Sequence, residues 1–232
     1  MKITKNWFYK IGTESWEEII IWDNLQVAIF DDSKNSPLQK GGRGGVFTIW
    51  ENSTLEYFSF FSEKWIYNKH FLCNKNNAKV MVKSLIYSEN NKIESTITWE
   101  LRVSDTESYS DILSFAWEKW DIKLDGILKI GSALENVKWR LDEENIFLWE
   151  SWRISGIPTL LVETNDVEAS HSCKMEKISD EKLFYLRSRW VGKENAMRMI
   201  IEAKIKNLYK YLEKYDKEFY DEILEEILRK IK

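Results

Sequence analysis

Between residues 137 and 164, two tight turns join three short runs that are apolar on both faces. With strand alternation, Val137, Trp139, Leu141, Ile146, Leu148 and Trp152 share one side, and Phe147, Trp149, Leu160 and Val162 the other. A sheet wetted on one face carries polar residues at every second position. These runs therefore need cover on both sides. The expected fold class is α+β: a mostly antiparallel sheet covered by helices on both faces, with a long C-terminal helical segment.

The rest of the chain supplies candidate elements for that scheme. Residues 3–11, 17–22, 25–30 and 46–50 read as strands, although Ser15 and Glu18 have the spacing of a capping box over the second run. Residues 32–45, with Pro37 and four glycines, read as a loop. Leu55, Phe58, Phe61 and Trp65 recur near helical spacing, so 53–72 is expected to be a helix. Residues 80–87 and 93–103 resemble the two arms of a hairpin. Tyr109, Ile112, Leu113, Ala116, Trp117 and Trp120 form the stripe of an amphipathic helix. Ser155-Gly156 reads as a hairpin turn that pairs Ile154 with Ile157, and 168–191 as one more hairpin. From Asn195 onward, Met197, Ile201, Ile205, Leu208, Leu212, Tyr215 and Phe219 keep helical spacing, and a break is expected at Tyr215-Asp216-Lys217. No internal repeat is recognised. The expected organisation is a layered α/β domain over 1–165, enlarged by an insertion at about 66–125, with a hairpin and helical part over 166–232 packed on it.

Composition narrows the function classes. The 232 residues carry 34 basic and 38 acidic side chains, mixed along the chain, for a net charge of −4. No basic stripe points to nucleic acid, and no polybasic or long apolar segment points to a membrane. Residues 1–6 hold no apolar leader core, and two cysteines make no disulfide framework, so a cytoplasmic protein is expected. Twelve tryptophans signal an aromatic core, or a ligand pocket if they surround a cavity.

Four constellations could carry chemistry. His70 with Cys73 and His171 with Cys173 are the soft metal ligands of the chain, of types that suit tetrahedral zinc, but their spacing matches no recognised knuckle. Glu150 and Glu163, placed diagonally across the expected hairpin, could act as general acid and base. Gly41-Gly42-Arg43-Gly44-Gly45 could form an anion nest centred on Arg43, though it lacks the residues that end a phosphate-binding loop. Trp139, Trp149 and Trp152 could line an apolar pocket. No nucleophile motif is present, and no cofactor is expected.

Asn6-Trp7-Phe8, Trp16, residues 26–31 (Gln-Val-Ala-Ile-Phe-Asp), Gly45-Val46-Phe47-Thr48-Ile49 and the run from Phe147 to Trp152 into Leu160-Leu161-Val162 together resemble the PsbP-like family of small α/β/α sandwich domains. That resemblance implies a non-enzymatic binding or assembly role and supplies no catalytic residues. The expected function is thus a binding or protein-interaction module whose partner is an unknown protein or a small apolar ligand. The alternatives are a START-like carrier with a Trp-lined cavity and a carboxylate-pair hydrolase.

Overall fold

The computed structural model describes residues 1–11, 18–31, 45–62, 66–89, 92–117, 121–148 and 153–231. Its strands alternate between two parallel sheets. The first sheet takes β1 (Lys2–Ile3), β3 (Glu18–Ile21), β5 (Gly45–Ile49), β7 (Ile66–Cys73), β9 (Ile93–Leu101) and β11 (Asp121–Ile130), ending in β13 (Arg153–Ser155) and β14 (Thr159–Val162). The second takes β2 (Trp7–Ile11), β4 (Gln26–Asp31), β6 (Thr54–Phe61), β8 (Lys79–Ser88), β10 (Glu107–Ala116), β12 (Val137–Phe147) and β15 (Val167–Lys177). Up to β12 each strand pairs in parallel with the strand two places away in sequence, and in the last coil β13 and β14 share β11 while β15 pairs with β12, so the chain winds as a β-solenoid. Successive coils stack Gln26 on Thr54, Lys79, Glu107, Lys138 and Glu168, which makes a coil 25 to 31 residues long.

The corner leading from the first sheet to the second explains how this winding is kept in register. Asn24, Asn52, Asn77, Asp105 and Asn136 each adopt a left-handed backbone there, with φ between 52° and 59°. Asn and Asp tolerate that conformation better than other non-glycine residues. Their side chains also join from coil to coil: Asn52 donates to Asn24 at 3.2 Å, Asn77 to Asn52 at 2.9 Å and Asn136 to Asp105 at 2.9 Å.

Inside the coils, inward residues of the two sheets fill the lumen. Phe47 stacks on Phe71 at 5.2 Å with Tyr57 edge-on to both, and Trp99 meets Trp139 edge-on at 5.6 Å. The outer face of the second sheet is covered by α2 (Lys193–Tyr209) and α3 (Lys217–Lys230), which bury Phe30, Phe58, Leu85 and Phe115 against Ile201, Ile205, Ile223 and Ile227. Tyr209 donates to the Ser59 carbonyl at 2.6 Å, while Lys214 and Tyr215 converge on buried Glu56 at 2.8 and 2.9 Å. A short 3₁₀ turn and the Asp216 cap separate α2 from α3 at the break expected from the sequence. A first helix, α1 (Asp180–Arg187), packs on α2 and buries none of its own residues.

This architecture overturns the α+β reading with a mostly antiparallel sheet between helical layers. The runs do need cover on both faces, but for the second sheet the inner cover is the other sheet, and helices lie on its outer face alone. The stretch expected to be one helix, 53–72, forms β6 and β7; the stripe from Tyr109 to Trp117 lies on β10 and the residue after it. The arms at 80–87 and 93–103 fall in different sheets, and 168–191 holds one long strand and a helix. Ser155-Gly156 is no hairpin turn: β13 and β14 both run parallel to β11, in line with each other. The glycine is needed for close approach, since a Cβ there would lie 1.9 Å from the Leu124 carbonyl oxygen. The unrecognised repeat is the coil itself.

Candidate functional site

The solenoid ends at β15 in the second sheet and at β13 and β14 in the first, and these last strands have no further strand beyond them among the described residues. All four residues of β14 are exposed, as are most of β15. Leu160, Leu161, Val162 and Met175 put apolar surface at this end.

Alternation along β12 and β15 decides what faces the lumen there. On β12, Val137, Trp139, Leu141, Glu143, Asn145 and Phe147 turn inward. Register sets Cys173 of β15 beside Glu143, Met175 beside Asn145, and His171 beside Leu141. The result is a polar cluster in the last two coils. His171 Nε2 lies 3.3 Å from a Glu143 carboxylate oxygen, without the alignment of a hydrogen bond, and is otherwise buried and unpartnered among the described residues. Asn145 donates from Nδ2 to the Cys173 sulfur at 3.5 Å. Ser114 of β10 donates in turn to Asn145 Oδ1.

Burial pushes the Glu143 carboxyl above the usual carboxylate range, against the attraction of His171. Partial burial raises the Cys173 thiol, and the facing Glu143 carboxylate raises it further. A thiol, an imidazole and a carboxylate are thus drawn together at an open strand edge. These are ligand types for iron or zinc. Among the described residues no group of three or more His, Cys, Asp or Glu is close enough to hold a metal ion unaided.

The other candidates from the sequence are dispersed. His70 lies on the outer face of the first sheet, 2.9 Å from Glu100, whereas Cys73 points into the core with its thiol pushed up to about 12 by burial. Trp139 is buried against Trp99 in the lumen. Glu163 is exposed just after β14. Arg43, Trp149, Glu150 and Trp152 lie outside the described residues. The sequence offers His171 and Cys173 only as soft-ligand candidates beside His70 and Cys73, and gives no place to Glu143, Asn145 and Ser114, which the fold sets next to them. The available signal was strand alternation itself, which carries the apolar face of Val137, Trp139 and Leu141 on into Glu143 and Asn145 and so places a carboxylate and an amide there.

Comparison with known proteins bears on this site. Residues 47–204 match the model of the family described as "SUF system FeS cluster assembly, SufBD core domain". The chain is 25% identical over 131 residues to the iron–sulfur cluster assembly protein SufD of Escherichia coli, a stretch covering 56% of this chain and 31% of that protein. It is 38% identical over 88 residues to an iron–sulfur cluster assembly SufBD family protein of Archaeoglobus fulgidus, covering 36% of this chain and 24% of the relative. With the SufB protein of Bacillus subtilis it shares 28% identity over 87 residues, covering 38% and 19%. The chain thus spans about a third or less of these relatives' length. The matches overturn the PsbP-like resemblance: of the runs that carried it, Trp7-Phe8 and Val27–Phe30 lie on strands of the solenoid, while Trp16 and residues 149–152 lie outside the described residues. No helix among the described residues is long and apolar enough to cross a membrane.

Proposed function

The chain belongs to the SufBD core family, and from that premise we propose that it is an assembly platform for iron–sulfur clusters, with Cys173, His171 and Glu143 as its contribution to the ligands of the nascent cluster. The cluster is cargo, built on the platform and passed on. The observation that supports this reading is the convergence of the buried His171 Nε2, the Glu143 carboxylate 3.3 Å from it and the Cys173 thiol at the open end of the solenoid.

Among the described residues one solenoid offers too few ligands for a cation, and its last strand is long, mostly exposed and unpaired on one side. An edge of that kind is a template for another strand. We place the rest of the ligand set on a second β-solenoid of the same assembly system, docked across β15 and covering the apolar surface of Leu160, Leu161 and Val162. The platform itself then needs no catalytic residue, because sulfide and iron supply the bonds and the protein supplies thiolate, imidazole and exclusion of water.

The test is anaerobic reconstitution of the purified chain with ferrous iron and sulfide, alone and with its co-expressed partner, followed by the visible charge-transfer absorption. Cys173→Ser and His171→Ala are expected to remove most of the bound iron, while Cys73→Ala leaves it unchanged. Wild-type iron content in the first two variants overturns the proposal.

A further inference from the structure

We infer that Ser114 and Asn145 form a positioning relay, which presents an amide N–H to the Cys173 sulfur and so tunes it as a ligand; this rests on the reading of Cys173 given above. The geometry carries the argument. Asn145 is 2% exposed and Ser114 is fully buried, both on inward positions of adjacent strands. The Ser114 hydroxyl donates to Asn145 Oδ1, and the amide's other end donates from Nδ2 to sulfur at 3.5 Å. An amide whose oxygen is already engaged has only N–H groups left to offer on its free side. The side chain therefore cannot turn an oxygen toward the sulfur without breaking the bond to Ser114.

Coil-by-coil comparison shows that the fold does not require this pair. Along the same column the register runs Phe61, Ile86, Ser114, Asn145, Met175. Early coils fill the position with apolar side chains, as a packed lumen favours. A buried amide and hydroxyl appear only where the column approaches Cys173. The neighbouring column differs: it begins with the buried, hydrogen-bonded pair Ser59 and Ser84, passes through Ile112, and reaches a carboxylate and a thiol only at Glu143 and Cys173. Hydrogen bonds to ligand sulfur withdraw electron density, and they are one of the means by which a protein sets the potential and lability of an iron–sulfur cluster. The relay would make the thiolate a weaker electron donor and hold its rotamer toward the lumen.

The experiment has two arms on the full chain, using the near-isosteric Asn145→Leu and the milder Ser114→Ala. In the metal-free arm, the limiting rate of Cys173 alkylation by iodoacetamide is measured at a pH where the thiol is fully ionised, with the labelled peptide identified by mass spectrometry. Losing the N–H donor should raise that rate about threefold in Asn145→Leu, the equivalent of part of one ordinary hydrogen bond, and by a smaller factor in Ser114→Ala. In the metal arm, Co²⁺ is added anaerobically to the chain co-expressed with its partner, and the sulfur-to-metal charge-transfer band that Cys173→Ser removes is expected to move to lower energy in both variants without loss of binding. A merely structural role leaves the band energy where it was. Unchanged alkylation rates with an unmoved band overturn the relay and leave the platform standing. A wild-type protein with no thiolate band, or one whose band survives Cys173→Ser, overturns the platform, and the alkylation arm then decides the relay by itself.

Discussion

Replacing Gly156 by alanine tests how the last coil is closed. The structure puts the added Cβ 1.9 Å from the carbonyl oxygen of Leu124 and 3.0 Å from its carbonyl carbon. Ordinary contact between such atoms is wider by roughly 1.5 Å, and the obstacle is backbone in the middle of β11. No side-chain rotation relieves it. Residues 153–155 pair with 121–123, and residues 159–162 with 127–130, on either side of this point. Shifting the segment far enough opens the flanking hydrogen bonds beyond their usable range, and Ile157 loses its bond to the Asp125 carboxylate at 3.2 Å. Two to four bonds at about 1 kcal/mol net each give a loss of about 2–4 kcal/mol. Because each coil of a solenoid contacts only its neighbours, the loss should appear mainly as opening of the last first-sheet strand, with little change in the rest. Hydrogen exchange followed by mass spectrometry is the assay: amides of residues 159–163 are expected to exchange at least tenfold faster in Gly156→Ala, with amides of β4, β6 and β8 unaffected. Protection of 159–163 equal to wild type refutes the close-approach argument.

Four further outcomes are expected. Asn52→Leu removes a rung that both donates and accepts within the corner ladder and forces a branched residue to φ 54°; it should lower stability by about 2–3 kcal/mol, read from the urea midpoint, with Asn52→Asp losing less. Glu56→Ala leaves the Lys214 ammonium and the Tyr215 hydroxyl without their shared acceptor under the helices, so limited proteolysis should cut the 210–216 connection faster than in wild type. Burial holds the His70 imidazole below its ordinary range despite the facing Glu100, and Arg102 holds Glu100 below its own. The unfolded chain therefore takes up protons first at both groups as the pH falls, and stability declines from about pH 6.5 downward; His70→Gln should flatten that decline between pH 7 and 5 in urea titrations at a series of pH values. In the native protein, iodoacetamide should label Cys173 and spare Cys73, whose thiol burial pushes up to about 12; labelling of both at equal rates contradicts the placement of Cys73 in the core.

The strands were more legible than their partners, and the reason is physical. Alternation in 93–101 or 137–141 is a local property of the chain, so it survives in the sequence. Pairing in a solenoid is not local: β8 neighbours β6 and β10, never β9, and no turn chemistry advertises a partner about 28 residues away. What does advertise it is the recurrence of Asn24, Asn52, Asn77, Asp105 and Asn136 at the same corner, a repeat visible only once a left-handed turn is assumed at each. The two misread helices have a second cause. On β10 the inward positions are Ser108, Ser110, Ile112, Ser114 and Ala116, and the outward ones include Tyr109 as well as Leu113 and Phe115, which lie beneath α2 and α3. Small hydroxyl residues in the lumen and large apolar residues outside invert the usual pattern, so Tyr109, Ile112, Leu113 and Ala116 imitate a helical stripe. The same departure from a purely apolar lumen, one coil further on, is what creates Glu143 and Asn145 beside His171 and Cys173. Rules that assume an apolar interior misplace β10 for the reason that the lumen near the open end is polar, and the proposed cluster-building site draws on that same polarity.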